Sequence, residues 1–321
     1  MARPRVEVVH VGSACRDVVP EDPRGWRLGG GVTYASLTTA RLGLRTAAMI
    51  GVDAEAARAS ELDLLRDASV QIQLVELAAG PIFENLETPA GRVQTALAVG
   101  EPVPMPDHLP SAWRDAAAWS LVPVADEVPG AWAGVPAPGA LLSVGWQGLL
   151  RRLVAGDRVR RRPPGPSPLL ARADIVGVSR LDVDPATSFR DLARWLRPAA
   201  RLCVTDGPAG GVLVTIGADG AAAVRYAPAP IDRDLDPTGA GDVFLAAVLA
   251  AAVRPAILGG MRDHIGSDLR LAAVAGSLTV ERVGVDAVPW LTAIRARASR
   301  DPDHGRRVVY VPMDSKVGSA G

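Results

Sequence analysis

Short apolar runs that end in Gly or Asp alternate along the chain with longer Ala-, Leu- and Arg-rich stretches in which apolar positions recur at helical spacing. The short runs, bounded by turn residues, predict strands at Val6–Val11, Thr46–Ile50, Leu141–Val144, Ile175–Val178 and Leu202–Thr205. The longer stretches predict helices over Tyr34–Leu42, Ala54–Asp67, Ser188–Leu196, Asp242–Val253 and Leu269–Val283. Strands and helices in alternation predict repeated β-α units around a parallel sheet, a doubly wound α/β pattern. Between about Val70 and Val103 the period changes to two, in Val70-Gln-Ile-Gln-Leu-Val, Pro81-Ile-Phe-Glu-Asn-Leu and Arg92-Val-Gln-Thr-Ala-Leu. These segments predict a small antiparallel sheet set into the β-α series, placed to act as a lid. Proline-rich loops fall at Pro102–Pro110, Pro136–Pro138 and Pro163–Pro168, no repeat recurs at a fixed period, and a last strand at Val308–Val311 is followed by an expected loose tail over about residues 312–321.

Composition narrows the function without naming it. The 321 residues are 48% hydrophobic and 22% charged, values of a folded chain long enough to bury a large core, which with 4% aromatics must be built mainly from Ala, Val and Leu. Thirty-five basic residues balance 35 acidic ones, so no net field draws the chain onto nucleic acid or an anionic membrane. Almost all the positive charge is arginine, and the one lysine is Lys316, near the end of the chain. A Walker-type P-loop and Schiff-base chemistry both need a lysine in the site, and neither has one. Cys15 and Cys203 stand apart and outside any CxxC pair, His10, His108, His264 and His304 are scattered, and no apolar run reaches membrane-spanning length. The chain reads as a cytoplasmic protein without a zinc site or a disulfide framework.

The strongest local signal is Leu235-Asp-Pro-Thr-Gly-Ala-Gly-Asp-Val-Phe-Leu-Ala-Ala-Val-Leu-Ala, where a proline and two glycines lead into an apolar helix. The first amides of a helix lack partners within it and sit at the positive end of its dipole, so Gly239, Ala240 and Gly241 offer an anion a close approach to the backbone. Asp242, in the first turn, is expected to be held ionised by the same dipole, as a base beside a phosphate cradle. Aspartate is also a common helix cap and glycine a common turn residue, so residue types alone leave a plain helix start open.

Asp236-x-Thr238-Gly239-Ala240-Gly241-Asp242 resembles the C-terminal signature of the ribokinase, or PfkB, family of carbohydrate kinases. The resemblance extends over Gly29-Gly30-Gly31-Val-Thr-Tyr-Ala-Ser through Ala40-Arg41-Leu42-Gly43, then Ile50-Gly51-Val52-Asp53, and Val204-Thr205-Asp206-Gly207-Pro-Ala-Gly210-Gly211, spanning about Val6 to Val288. It implies one ribokinase-like domain over residues 1–321: a three-layer α/β/α sandwich with a mostly parallel central sheet and a small inserted β-sheet lid made from about residues 13–33 and 70–103. It also implies ATP as donor with Mg²⁺, Asp242 as catalytic base and Gly239, Ala240 and Gly241 as an anion hole. By the same resemblance Asp17, Gly29, Gly30 and Tyr34 bind substrate, and Ser179, Thr205, Gly207, Gly210 and Thr238 line the nucleotide. Lids of this family often pair, which implies a homodimer through the lid.

Departures from the family pattern matter. Where the family carries Asn-x-x-Glu, this chain has Ser179-Arg180-Leu181-Asp182, leaving Asp182 as a shorter oxygen ligand expected to reach Mg²⁺ through water. Tyr34 replaces a familiar Asn, and with Gln147-x-x-x-Arg151 it is similar to myo-inositol kinases of the family, which implies a cyclitol acceptor touched by Gln147 and Arg151. On the lid, alternation puts neighbouring side chains on opposite faces, so Glu84 and Arg92 are expected to point at the polyol while Phe83 packs. A nucleoside or other sugar as acceptor, and a catalytically impaired ligand-binding homologue, stay open as alternatives. A nicotinamide enzyme is disfavoured because Gly12-Ser13-Ala14-Cys15-Arg16-Asp17 after the first strand lacks the GxGxxG fingerprint.

Overall fold

A computed structural model describes residues 5–88, 91–104, 109–218, 220–261, 266–300 and 309–319. In chain order the first strands are β1 (Val8–Ser13), β2 (Cys15–Val18), β3 (Trp26–Gly29), β4 (Thr46–Val52), β5 (Gln71–Glu76), β6 (Ile82–Thr88), β7 (Gly91–Ala98), β8 (Ala118–Leu121) and β9 (Leu141–Gly145). They are followed by β10 (Arg151–Arg152), β11 (Asp157–Arg158), β12 (Arg160–Arg161), β13 (Ile175–Ser179), β14 (Arg201–Thr205), β15 (Gly211–Gly217), β16 (Gly220–Tyr226) and β17 (Val309–Val311). The helices are α1 (Gly31–Arg41), α2 (Glu61–Asp67), α3 (Ser111–Arg114), α4 (Pro168–Arg172), α5 (Phe189–Ala193), α6 (Ala240–Val253), α7 (Ser267–Val280) and α8 (Leu291–Ala298).

Ten strands form one sheet in the order β17-β16-β15-β14-β13-β9-β8-β1-β4-β5. From β14 to β5 every neighbouring pair is parallel, and β15, β16 and β17 extend the β14 edge as antiparallel strands. Helices cover both faces, which explains why the strand runs are apolar throughout: β1, β4 and β8 are buried at every position. One face packs on α1, α6 and α7 through Leu37, Val243, Leu249 and Leu271, while the other gathers Trp119, Trp132, Trp146 and Phe189. Helix α6 is apolar around nearly its whole circumference because it lies between the sheet, α1 and α7.

A second sheet, in the order β11-β7-β6-β2-β3, stands apart from the first. Two expectations are corrected here. The run beginning at Val70 is strand β5, paired in parallel with β4 at the edge of the main sheet, because Ile72 and Leu74 pack against the core on one side while Val75 packs on the other. The stretch expected as one helix from Ala54 is a single turn at Ala56–Arg58, an extended Ala59 with ψ 130°, and then α2.

Where a loose tail is expected, the chain through Gly318 is held by backbone bonds from Val317 to Thr187 O (2.8 Å) and from Gly318 to Pro185 O (3.0 Å). Val317 is buried, an apolar anchor that the polar composition of the segment conceals. Among the described residues no helix is long and apolar enough to cross a membrane.

Candidate active site

The carboxyl ends of the parallel strands meet the second sheet, the place where open α/β sheets bind ligands. Strand β1 runs out at Ser13, turns at Ala14, and continues into the second sheet as β2, so Cys15 and Asp17 stand just beyond the main sheet. The hairpin returns through β3 to Gly29, Gly30 and Gly31, and α1 starts there.

Each of the three glycines is required for a different reason. A Cβ on Gly29 would collide with the Asp17 carboxylate. Gly30 caps α1 with φ 97°, a left-handed conformation costly for other residues, and its Cβ would strike Ser13 O. A Cβ on Gly31 would lie 2.8 Å from Asp242 Oδ1 and 3.2 Å from the Val122 side chain. The N-terminal glycines therefore form a floor on which the carboxylates of Asp17 and Asp242 both rest.

The opposite side of that floor is the start of α6. Gly239 caps the helix with φ 79°, and any side chain there would run into the Tyr34 ring. Tyr34 is buried, at 2% exposure, and its ring supports the Gly239 backbone, so its part is to hold the helix start. The Ala240 amide already donates to Pro237 O (3.2 Å), which corrects the expectation that all three small residues offer free N–H groups. Among the described residues the amides of Gly241 and Asp242 have no acceptor, and open space lies beside Gly241. Thr238 donates its amide to Asp236 Oδ1 (2.9 Å), a local turn that sets the approach to Gly239.

Burial pushes the Asp242 carboxyl up to about 6, with Arg151 opposing the shift and Asp182 adding to it. The expected direction, an acid held well ionised by the helix dipole, is thus reversed, because desolvation in the packed site outweighs the half-charge of one helix end. At neutral pH the group is still mainly the carboxylate.

A second wall rises from the ends of β9 and β13. The side-chain amide of Gln147 donates to Asp182 Oδ1 (3.2 Å) and Oδ2 (3.4 Å), and the Ser179 amide donates to Asp182 Oδ2 (3.3 Å). Ser179 Oγ in turn accepts from the Leu181 amide (3.2 Å), so Ser179 and Asp182 cap a single helical turn reciprocally. Burial raises the Asp182 carboxyl, while Arg151 and the Gln147 bond pull it down.

Arg151 stacks its guanidinium 5.7 Å from the Phe83 ring centroid and donates to Val124 O (3.3 Å). Desolvation lowers its affinity for the proton, and the charges of Asp182, Cys15, Asp242 and Asp17 act against that, so this cation belongs to the same cluster. Gln147 accordingly reaches Asp182, and among the described residues it makes no hydrogen bond to the glycine floor.

On the lid the structure reverses one expectation. Phe83 and Asn85 alternate onto the face that carries Asp17, and Glu84 therefore points the other way. Asn85 Nδ2 donates to Asp17 Oδ1 (3.4 Å) and Gln94 Nε2 donates to Asn85 Oδ1 (2.8 Å), forming a polar chain across the lid. The backbone of Arg92 stands opposite Glu87 in the ladder, and its side chain lies outside the described residues. Asn85 and Gln94 were missed because alternation does not say which face of a lid strand meets Asp17, and the pairing of Asp17 with Phe83 decides it.

Thr205 ends β14 beside Ser179 of β13, with Thr205 Oγ1 donating to Val178 O (3.4 Å). The turn that follows takes φ 48° at Gly207 and 83° at Gly210, where a Cβ would collide with the Tyr226 carbonyl. Asp206 at its corner pairs with Arg180 (2.6 Å), a contact invisible in the sequence. Ser179, Thr205, Gly207 and Gly210 thus share one end of the sheet, and Thr238 lies on the separate loop before α6. Among the described residues no three His, Cys, Asp or Glu gather as metal ligands. Asp182, with its oxygens already accepting bonds, retains lone-pair capacity for a metal-bound water and is badly placed for direct ligation.

Residues 181–292, from the Asp182 turn through α6 and α7, match the family model described as pfkB family carbohydrate kinase. That stretch of the chain is similar to the pfkB family of carbohydrate kinases. The chain's fold is ribokinase-like. It is similar to a pyrophosphate-dependent kinase in the ribokinase family complexed with a pyrophosphate analogue and myo-inositol, at 19% identity over 90% of this chain and 99% of that one, with a TM-score of 0.66. Arabidopsis thaliana ribokinase complexed with ribose and ATP aligns at 18% identity over 91% and 98%, TM-score 0.64. Methanocaldococcus jannaschii nucleoside kinase aligns at 14% over 92% and 99%, TM-score 0.63. No curated protein matches the chain.

Proposed function

We propose that this protein is a pfkB-type, ATP-dependent kinase that phosphorylates an alcohol group of a cyclitol or sugar, with a myo-inositol-like ring preferred. The observation that carries the reading is the glycine floor, which brings the Asp242 carboxylate beside unfilled amides at the start of α6 and faces it with Asp17 of the lid.

The acceptor hydroxyl loses its proton to an Asp242 oxygen as its own oxygen attacks the γ-phosphorus. The bond from that phosphorus to the bridging oxygen breaks, ADP leaves with the electron pair, and the new phosphate ester keeps the transferred group. The Gly241 and Asp242 amides hold the phosphoryl oxygens, Gly239 shapes the cradle, and Asp17, fixed by Asn85, accepts from other acceptor hydroxyls and sets which one reaches Asp242. Ser179, Thr205, Gly207, Gly210 and Thr238 are assigned to the donor side. Mg²⁺, entering with the donor, would neutralise its phosphates, and Asp182 would hold one of its waters.

The cyclitol preference draws on the resemblance of Tyr34 and the Gln147-x-x-x-Arg151 spacing to myo-inositol kinases and on the neighbour complexed with myo-inositol. The ribose-bound and nucleoside-kinase neighbours name the rival acceptors, and the pyrophosphate-dependent neighbour names a rival donor. The enzyme is assigned to the cytoplasm, without nucleic-acid or membrane partners, on its balanced charge. Leu86 and Leu97, exposed on the lid face opposite Asn85 and Ala96, support a homodimer through the lid.

The test is a matrix of two donors, ATP and pyrophosphate, each with Mg²⁺, against cyclitols, sugars and nucleosides, followed by ³¹P NMR of the product. Ester formation on a cyclitol with ATP is expected. Turnover of nucleosides alone moves the acceptor assignment, and turnover with pyrophosphate alone moves the donor. A second reading, ligand binding without transfer, rests on the engagement of the Asp182 oxygens by Gln147 and Ser179, and saturable polyol binding with no ester in any cell of the matrix would establish it.

A further inference from the structure

Between β9 and α4 the chain makes an arginine-rich excursion, Arg151 to Arg162, which folds as the hairpin β10–β12 with β11 added to the edge of lid strand β7. The hairpin register sets Arg151 directly opposite Arg161 and Arg152 directly opposite Arg160. Like charges facing each other across a strand pair destabilise it, so two such pairs in succession cost a purely structural hairpin stability without return. The pairs differ in what they face. Arg152 and Arg160 alternate away from Asp182, whereas the half-buried Arg151 and the exposed Arg161 lie toward the turn that carries it: Arg161 Nε donates to Leu181 O (2.9 Å), and both cations act on the Asp182 carboxyl.

Neither Arg151 nor Arg161 has a carboxylate within ion-pair distance among the described residues, although Asp182, Asp17 and Asp242 lie within electrostatic reach of Arg151. Arg151 is fixed by Phe83 and Val124 O, and Arg161 by Leu181 O, so each guanidinium is oriented while, among the described residues, most of its N–H donors have no acceptor. Two fixed guanidinium groups on one face of a hairpin suit the oxygens of a polyphosphate, to which arginine bonds in bidentate fashion.

We propose that Arg151 and Arg161 form a clamp for the phosphate groups of the donor, a second anion-holding element beside the α6 amides. The proposal rests on the kinase reading and deepens it: Arg151, expected from the sequence to touch the acceptor, is assigned to the transferring phosphoryl group, and Arg161 to the phosphates that leave. As the bridging P–O bond breaks, charge builds on the leaving oxygen, and a guanidinium there lowers the barrier.

The test uses the full chain and inorganic tripolyphosphate as probe, titrated by calorimetry without acceptor, in wild type, Arg161→Ala, Arg161→Lys, Arg151→Ala and, from the outward pair, Arg160→Ala. Arg161→Ala is expected to weaken binding roughly tenfold or more, Arg161→Lys to recover part of it, and Arg160→Ala to change it less than about twofold. In turnover assays Arg161→Ala should raise the KM for donor and leave that for acceptor unchanged, and Arg151→Ala should lower kcat about 100-fold or more, with partial rescue by added guanidinium.

Arg161 is exposed, so its variants are read even where Arg151→Ala fails to fold. Equal tripolyphosphate affinity in Arg161→Ala and Arg160→Ala, or no binding by wild type, overturns the clamp. So does an Arg151→Ala protein whose acceptor KM rises while tripolyphosphate affinity holds. Wild type that binds tripolyphosphate through Arg161 yet phosphorylates no acceptor upholds the clamp and counts against the kinase reading.

Discussion

The floor and the wall of the site are built on different principles. The floor, Gly29–Gly31 with Gly239–Asp242, is fixed by backbone: positive φ at Gly30 and Gly239, and spaces at Gly29 and Gly31 that only a missing Cβ leaves for two carboxylates. The wall, Gln147, Arg151, Ser179 and Asp182, is fixed by hydrogen bonds and charge between side chains. A backbone-built floor admits almost no substitution, whereas a wall of paired side chains can be retuned. Asp242, the proposed base, belongs to the part that cannot move.

The sharpest break of that contrast is Asp242→Asn. Loss of the base is expected to reduce kcat by roughly 100- to 10,000-fold, with circular dichroism unchanged. Because burial raises this carboxyl from 3.8 to about 6 in the folded chain, its contribution to stability is fully present below pH 3.8 and lost as pH rises through 6. The amide variant should therefore melt no lower than wild type at pH 7. A large drop in melting temperature would mean that Asp242 is structural.

Gly31→Ala comes next. The new methyl must displace Asp242 Oδ1 or the Val122 side chain, and a shift of about 1 Å at the reacting group costs on the order of 100-fold in kcat. Melting temperature and kcat measured together decide the matter, since a loss of stability without a loss of turnover would make the floor a packing feature only.

The pH profile is a milder probe. With a base at about 6, kcat/KM should fall roughly tenfold per pH unit below that value and be flat above it. The acid limb should vanish in the residual activity of Asp242→Asn. Smallest of all is Gln147→Ala, which frees the Asp182 carboxylate and should change kcat by only about threefold to tenfold while shifting the Mg²⁺ dependence. A loss as large as that of Gly31→Ala would erase the distinction between floor and wall.

The same contrast explains what could be read from sequence. Gly29-Gly30-Gly31 and Thr238-Gly239-Ala240-Gly241-Asp242 are legible because a backbone that must pass close to a carboxylate leaves glycine no alternative. The parallel strands are legible because burial on both faces makes them continuous apolar runs. Asn85 and Gln94 were not, since a polar residue on a strand looks the same whether it faces solvent or Asp17, and the pairing of Asp17 with Phe83 across β2 and β6 decides which. The direction of the Asp242 shift was hidden because desolvation depends on what packs around a group, while a helix dipole can be anticipated from one segment. Strand β5 was misplaced for a related reason: its alternation suits an edge strand as well as a lid strand, and only its neighbour β4 settles the choice.

The docked C-terminal segment gives experiments a convenient foothold. Lys316, the sole lysine, is exposed on it, one position before the buried Val317, whose side chain helps to line a small cavity with Arg180, Asp206 and Arg225 near the Gly207–Gly210 turn. A fluorophore coupled to side-chain amines would attach at that single point in the native sequence, and its emission would report events at this end of the sheet with no engineered cysteine.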